Sequence, residues 1–203
     1  MAALLAVALF AGCSGETSGP ESGNAAQANA AATAPHDTLY HQGWSEVWAN
    51  PAQTQDYFNR IGYRFLEAYK PADGGIYRSV AVRTPLNSEQ ETKTPNVAFY
   101  SLEGTERQID RVVYRLDIVS ADAAPAARAR LATFIKDTFW TLGLPGDKAV
   151  AEPLKEGQAA SGSVNGAAWS VEPSALPGGK PGDRRITVTF SRPDASRAAP
   201  QQG

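Results

Sequence analysis

The stretch RQIDRVVYRLDIVS, residues 107–120, constrains the fold more than any other part of the chain. Within it Val112, Tyr114, Leu116 and Ile118 alternate with Arg111, Val113, Arg115 and Asp117. A period of two over this length is the signature of a strand with one face buried. An upstream run, Asn96 to Leu102, reads as a second strand, and EGTE at 103–106 reads as the turn between them. That loop opposes Val97 to Val112 and Ala98 to Arg111. Val97, Phe99, Val112 and Tyr114 are then expected on one face, and Tyr100, Ile109, Arg111, Val113 and Arg115 on the other. Gly75 to Thr84 reads as a further strand.

Helical signals flank this hairpin. In LYHQGWSEVWANP, Tyr40, Trp44 and Trp48 recur every four residues and share a helical face. Such a stripe suits burial against a sheet better than a glycan- or protein-binding surface. Asn50 and Pro51 fit the N-cap and first position of a following helix. That helix is expected over Ala52 to Tyr69, with Phe58, Ile61, Phe65 and Leu66 inward. A second main helix is expected, which Ser120 or Asp122 can cap and which carries Pro125 in its first turn. It turns Leu131, Phe134, Ile135, Thr138, Phe139 and Leu142 inward and stops at Gly143 and Pro145. Asn165-Gly166 marks a type I′ hairpin, and RRITVTFS, residues 184–191, reads as the last strand. The order predicts an α+β fold: an antiparallel sheet of about five to six strands with two main helices packed on one face.

Composition divides the chain. Residues 14–35 contain no aromatic residue and no Leu, Ile, Val or Met, so they have nothing to bury in exchange for ordering. All four Trp, all seven Tyr and six of the seven Phe lie between positions 38 and 193, the expected single α+β domain. Residues 194–203 resemble the first segment and are expected to form a loose tail. A formal net charge of −2 argues against a polyanion-binding protein, of nucleic acid or any other kind, driven by bulk charge.

The chain opens MAALLAVALFAGCSG. About ten apolar residues fall well short of the roughly 20 that span a bilayer, and suit a secretory h-region. Leu9-Phe10-Ala11-Gly12-Cys13 resembles the lipobox of bacterial lipoproteins, with Phe10 where Leu is usual. The missing Lys or Arg before the apolar run suggests a true start upstream of Met1. The resemblance implies a signal peptide over 1–12, a lipid attached to Cys13, and a tether over 13–37. It also implies, from Ser14 after the cysteine, an anchor in the inner leaflet of the outer membrane, facing the periplasm. Cys13 is the chain's one cysteine, so no intrachain disulfide is possible, and lipidation would consume an otherwise unpaired thiol. Two or three acyl chains at about 0.8 kcal/mol per buried methylene hold firmly where one binds marginally.

Little points to catalysis. His36 and His41 lie at the edge of the tether, five residues apart, with no HExxH and no second cysteine nearby, and read as solvated. The nucleophile motif GxSxG is missing, and PGGKPG lacks the spacing of a phosphate loop. Glu103, Glu106, Asp110 and Asp117 gather near the hairpin and carry the case for an envelope hydrolase using paired carboxylates. Arg111 and Arg115, with Tyr100 expected beside them, form the candidate ligand-binding face, since guanidinium next to an aromatic ring suits carboxylate or phosphate. The leading expectation is a non-enzymatic envelope lipoprotein without catalytic residues, cofactor or metal. Its domain would bind a protein or cell-wall partner, and an inhibitor or immunity-type lipoprotein is a further alternative. The partners expected are the membrane, through the lipid, and an envelope protein or glycan, with no nucleic acid.

Overall fold

The structure, a computed structural model, describes residues 43–61 and 65–195. The chain divides into two units, Met1–His36 and Asp37–Gly203, and the first lies wholly outside the described residues. Cys13, the 14–35 segment, His36, Tyr40 and His41 therefore lie outside them as well.

The described part is α+β. Two helices, α1 (Trp44–Ala49) and α2 (Pro51–Ile61), precede β1 (Lys70–Ala72), a 3₁₀ turn at Asp73–Gly75, β2 (Ile76–Val80) and β3 (Thr84–Pro85). The central hairpin is β4 (Val97–Thr105) and β5 (Gln108–Ile118). Helices α3 (Ala124–Thr141) and α4 (Asp147–Glu156) follow, then β6 (Ala160–Val164), β7 (Ala167–Ala175) and β8 (Arg184–Ser191). The sheet is antiparallel throughout, in the order β1-β2-β4-β5-β8-β7-β6, with β3 paired to β4.

Among the described residues the strands number eight, more than the five to six expected, and the helices number four. The added helix α4 contains Pro153, which reads as a breaker in a short polar stretch. Tertiary packing overrides it, because Val150, Ala151 and Leu154 are buried on one side. Gly157, in the left-handed region, then closes the helix as Gln158 N–H donates to Pro153 O at 2.9 Å. Helix α2 is shorter than its apolar pattern suggests. Leu66 forms a bridge with Ala81, and Asn59 Oδ1 accepts from Leu66 N–H at 2.6 Å, so this segment runs extended along the sheet. Phe65, expected inward, is 75% exposed. At the start of α2, Asn50 Oδ1 accepts from Gln53 N–H at 3.2 Å, the capping role expected of it.

The helices cover one face of the sheet. Trp44 stacks on Trp48 and on Phe190, each at a 5.0 Å centroid distance, and meets Phe139 edge-on at 5.8 Å. Phe134 of α3 meets Tyr100 and Tyr114, while Phe58 of α2 lies against Tyr100. The Trp44–Trp48 stripe is thus core, as are all six inward residues expected for the long helix.

Hairpin register departs most from expectation. The turn is Glu106-Arg107, Thr105 opposes Gln108, and a bulge lies between Glu103 and Gly104. Val97 then opposes Asp117 and Ala98 opposes Leu116, five positions beyond the pairing expected from a loop over 103–106. An odd displacement exchanges the faces of one strand relative to the other. Tyr100 therefore joins Tyr114, Leu102, Val112 and Leu116 in the core, and Ile109 also turns inward. Phe99, Ser101 and Glu103 join Arg111, Val113, Arg115 and Asp117 on the opposite face.

An arginine and hydroxyl face on the open side of the sheet

Among the described residues, no helix packs on that opposite face. Cross-strand register arranges it in rows, each strand about 4.8 Å from the next. Arg78, Glu103, Arg111 and Ser191 form one row across β2, β4, β5 and β8. Val80, Ser101, Val113, Thr189 and Ser170 form the next. Phe99, Arg115, Thr187 and Glu172 make a third, and Val97, Asp117, Arg185 and Ser174 a fourth.

Two carboxylates are buried in this face, and each is engaged by several guanidiniums. Glu103 lies 3.1 Å from Arg111, 3.2 Å from Arg115 and 3.4 Å from Arg78. Ser101 Oγ donates to Glu103 at 3.0 Å and accepts from Arg115 at 2.9 Å. Asp117 accepts two bonds from Arg185, at 2.6 and 3.0 Å, and a third from Arg83. Burial by itself would raise the Asp117 carboxyl, but hydrogen bonds from Arg185 and Arg83 outweigh it and hold the group below the usual range. Between the two clusters stands the Phe99 ring, with the guanidinium carbons of Arg83, Arg185 and Arg115 at 4.8, 5.7 and 5.8 Å from its centroid.

Five guanidiniums thus meet two carboxylates, leaving an excess of three positive charges. Exposed Glu172 reduces the excess over the whole face to two. Arg83, Arg111 and Arg78 keep 56, 47 and 39% of their side-chain surface in solvent, so their outer donors remain available. The chemistry suited to such a surface is anion recognition by a preorganised array, since the buried carboxylates already fix the guanidinium positions.

Of the sequence candidates, Arg111 and Arg115 do stand together on this face. Tyr100 does not. It is fully buried, its hydroxyl donates to Phe58 O at 3.1 Å, and burial raises its pKa. The odd register shift is the physical reason for this correction, and Phe99 takes the aromatic position expected for Tyr100. Arg83, Arg78 and Arg185 were missed because each comes from a different strand or loop. Only the register β2-β4-β5-β8 brings them together.

The carboxylates of the hydrolase alternative are dispersed. Glu106 is exposed at the hairpin turn, Asp110 pairs with Arg192 at 2.9 Å, and Glu103 and Asp117 lie three rows apart, roughly 20 Å along the strands. Among the described residues, no three His, Cys, Asp or Glu side chains gather as metal ligands would. No helix among them is long and apolar enough to cross a membrane. No family model, curated protein or solved structure matches the chain.

Proposed function

We propose that the protein is an envelope lipoprotein whose α+β domain is a non-enzymatic binding module for an acidic envelope component, either a protein or cell-wall material. The observation that carries this reading is the open sheet face itself. Five guanidiniums converge there on two carboxylates and leave positive charge facing solvent. A general acid needs a carboxyl that stays protonated near neutral pH. Asp117 is shifted in the opposite direction, which favours binding over hydrolysis. In this proposal the lipid on Cys13 and the tether behind it hold the face in the periplasm, within reach of its partner.

The test is titration of the full-length chain with short acidic ligands at low and at 0.5 M salt. Binding is expected at low salt and should weaken as salt screens the outer charges. Arg83→Ala combined with Arg111→Ala should weaken it at least tenfold, the scale of two charge-assisted contacts. Loss of neither affinity nor salt dependence in this variant would reduce the face to ordinary surface.

A further inference from the structure

Beside the arginines, the same face carries a second chemistry. Thr187, Thr189 and Ser191 on β8, Ser170 on β7, and Ser161 and Ser163 on β6 point to the open side in adjoining rows. All are partly or well exposed, and none of their hydroxyls has a hydrogen-bond partner among the described residues. Arginines can anchor a protein partner, but a surface dominated by guanidiniums and hydroxyls lacks the packed apolar centre around which such anchors act. Protein interfaces depend on apolar and aromatic anchors at their centre. Here Val113 is buried, Val80 and Val97 are partly covered and stand in separate rows, and the Phe99 ring is already surrounded by guanidiniums.

We propose, resting on the reading that this face binds an acidic component, that its ligand is a polysaccharide segment whose sugars bear carboxylates. The guanidiniums take the carboxylates. The rows of Thr and Ser exchange hydrogen bonds with the ligand's hydroxyls, as donors and acceptors alike. Phosphate is the weaker fit. Phosphate sites concentrate at helix N-termini and backbone nests, where main-chain N–H groups converge. A flat sheet face directs its main-chain groups sideways into the ladder, and the helices lie on the other side. Side-chain forks and hydroxyls are what remain, and they match a flat, extended chain lying across the strands.

Calorimetric titration of the full-length chain in detergent tests the assignment with four probes: hexagalacturonic acid, neutral maltohexaose, hexaglutamate and inorganic phosphate. Hexagalacturonic acid is expected to bind at least tenfold more tightly than any other. The variant Thr187→Val with Thr189→Val keeps charge, shape and strand propensity while removing two hydroxyls. It should lose about tenfold in affinity for hexagalacturonic acid and leave hexaglutamate unchanged, while an unaltered circular dichroism spectrum confirms the fold. Equal or tighter binding of hexaglutamate would point to an acidic protein partner and overturn the polysaccharide. Tightest binding of phosphate would overturn it too, as would threonine-to-valine changes without effect on hexagalacturonic acid. Failure of every anionic probe would instead remove the binding face on which the inference rests.

Discussion

At the scale of single residues, the open face is held by two buried acids. Removing one leaves guanidiniums crowded together without their counter-charge. Breaking such a cluster costs about 2–3 kcal/mol here, below the figure for a fully buried pair because the arginines reach solvent. Glu103→Gln should therefore lower stability by about that amount in urea unfolding. Arg111→Ala, half exposed, should cost well under 1 kcal/mol. Arg115→Ala should cost more, since Arg115 also bonds Ser101. Asp117 sets a pH dependence. Its folded pKa lies below the ordinary 3.8, so as pH falls the unfolded chain takes up the proton first. The stability it contributes is complete above about pH 5 and is lost as the pH drops through 3.8 and below. Asp117→Asn should flatten this acid limb of the stability curve; an unchanged limb would show that other carboxylates govern it.

Elements are decided by register, and in the β4–β5 hairpin by one glycine. A Cβ added at Gly104 would run into Gln108 O and lie only 2.8 Å from Asp110 N and 2.9 Å from Ile109 Cα. These are backbone atoms of the partner strand at the bulge, so nothing flexible can move aside. Gly104→Ala should cost about 3 kcal/mol, at the upper end for overpacking, and loosen hydrogen-exchange protection along both strands. Protection unchanged from the parent would mean that the bulge adjusts freely. Tyr100 gives an independent measure of the same register. Tyr100→Ala should cost about 3 kcal/mol or more as a core cavity, whereas Tyr100→Phe should leave ligand affinity untouched because its ring faces the helices.

For the whole molecule, the proposed division of labour is between an anchor and a binding domain. Metabolic labelling with palmitate should mark the mature protein. Cys13→Ala should abolish both the label and sedimentation with membranes, while persistent sedimentation would end the lipid-anchor proposal. Residues 14–35 hold nothing to bury, so limited proteolysis should trim the chain to a resistant fragment beginning near residues 38–43. Its thermal midpoint should lie within about 2 °C of that of the longer chain, the shift produced by well under 1 kcal/mol.

The sequence by itself determined the α+β class, the long helix with its six inward residues, the Asn50 cap and the last strand at Arg184–Ser191. It also determined that Arg111 and Arg115 share a face, because side chains on one strand alternate with a period of two whatever the strand pairs with. Which residues face them was decided only in three dimensions. Local pattern says that a strand has two faces, but the bulge at Glu103/Gly104 and the turn at Glu106-Arg107 choose which face of β4 meets which face of β5. Thus Tyr100 went to the core and Phe99 to the arginines. Pro153 lies in a helix because packing of Val150, Ala151 and Leu154 outweighs propensity, a contest no local rule can judge. The five-arginine face joins β2, the segment before β3, β5 and β8, with β4 carrying the ring and one acid between them. Those arginines span 107 positions of chain, from Arg78 to Arg185, and only the order of strands in the sheet places them side by side.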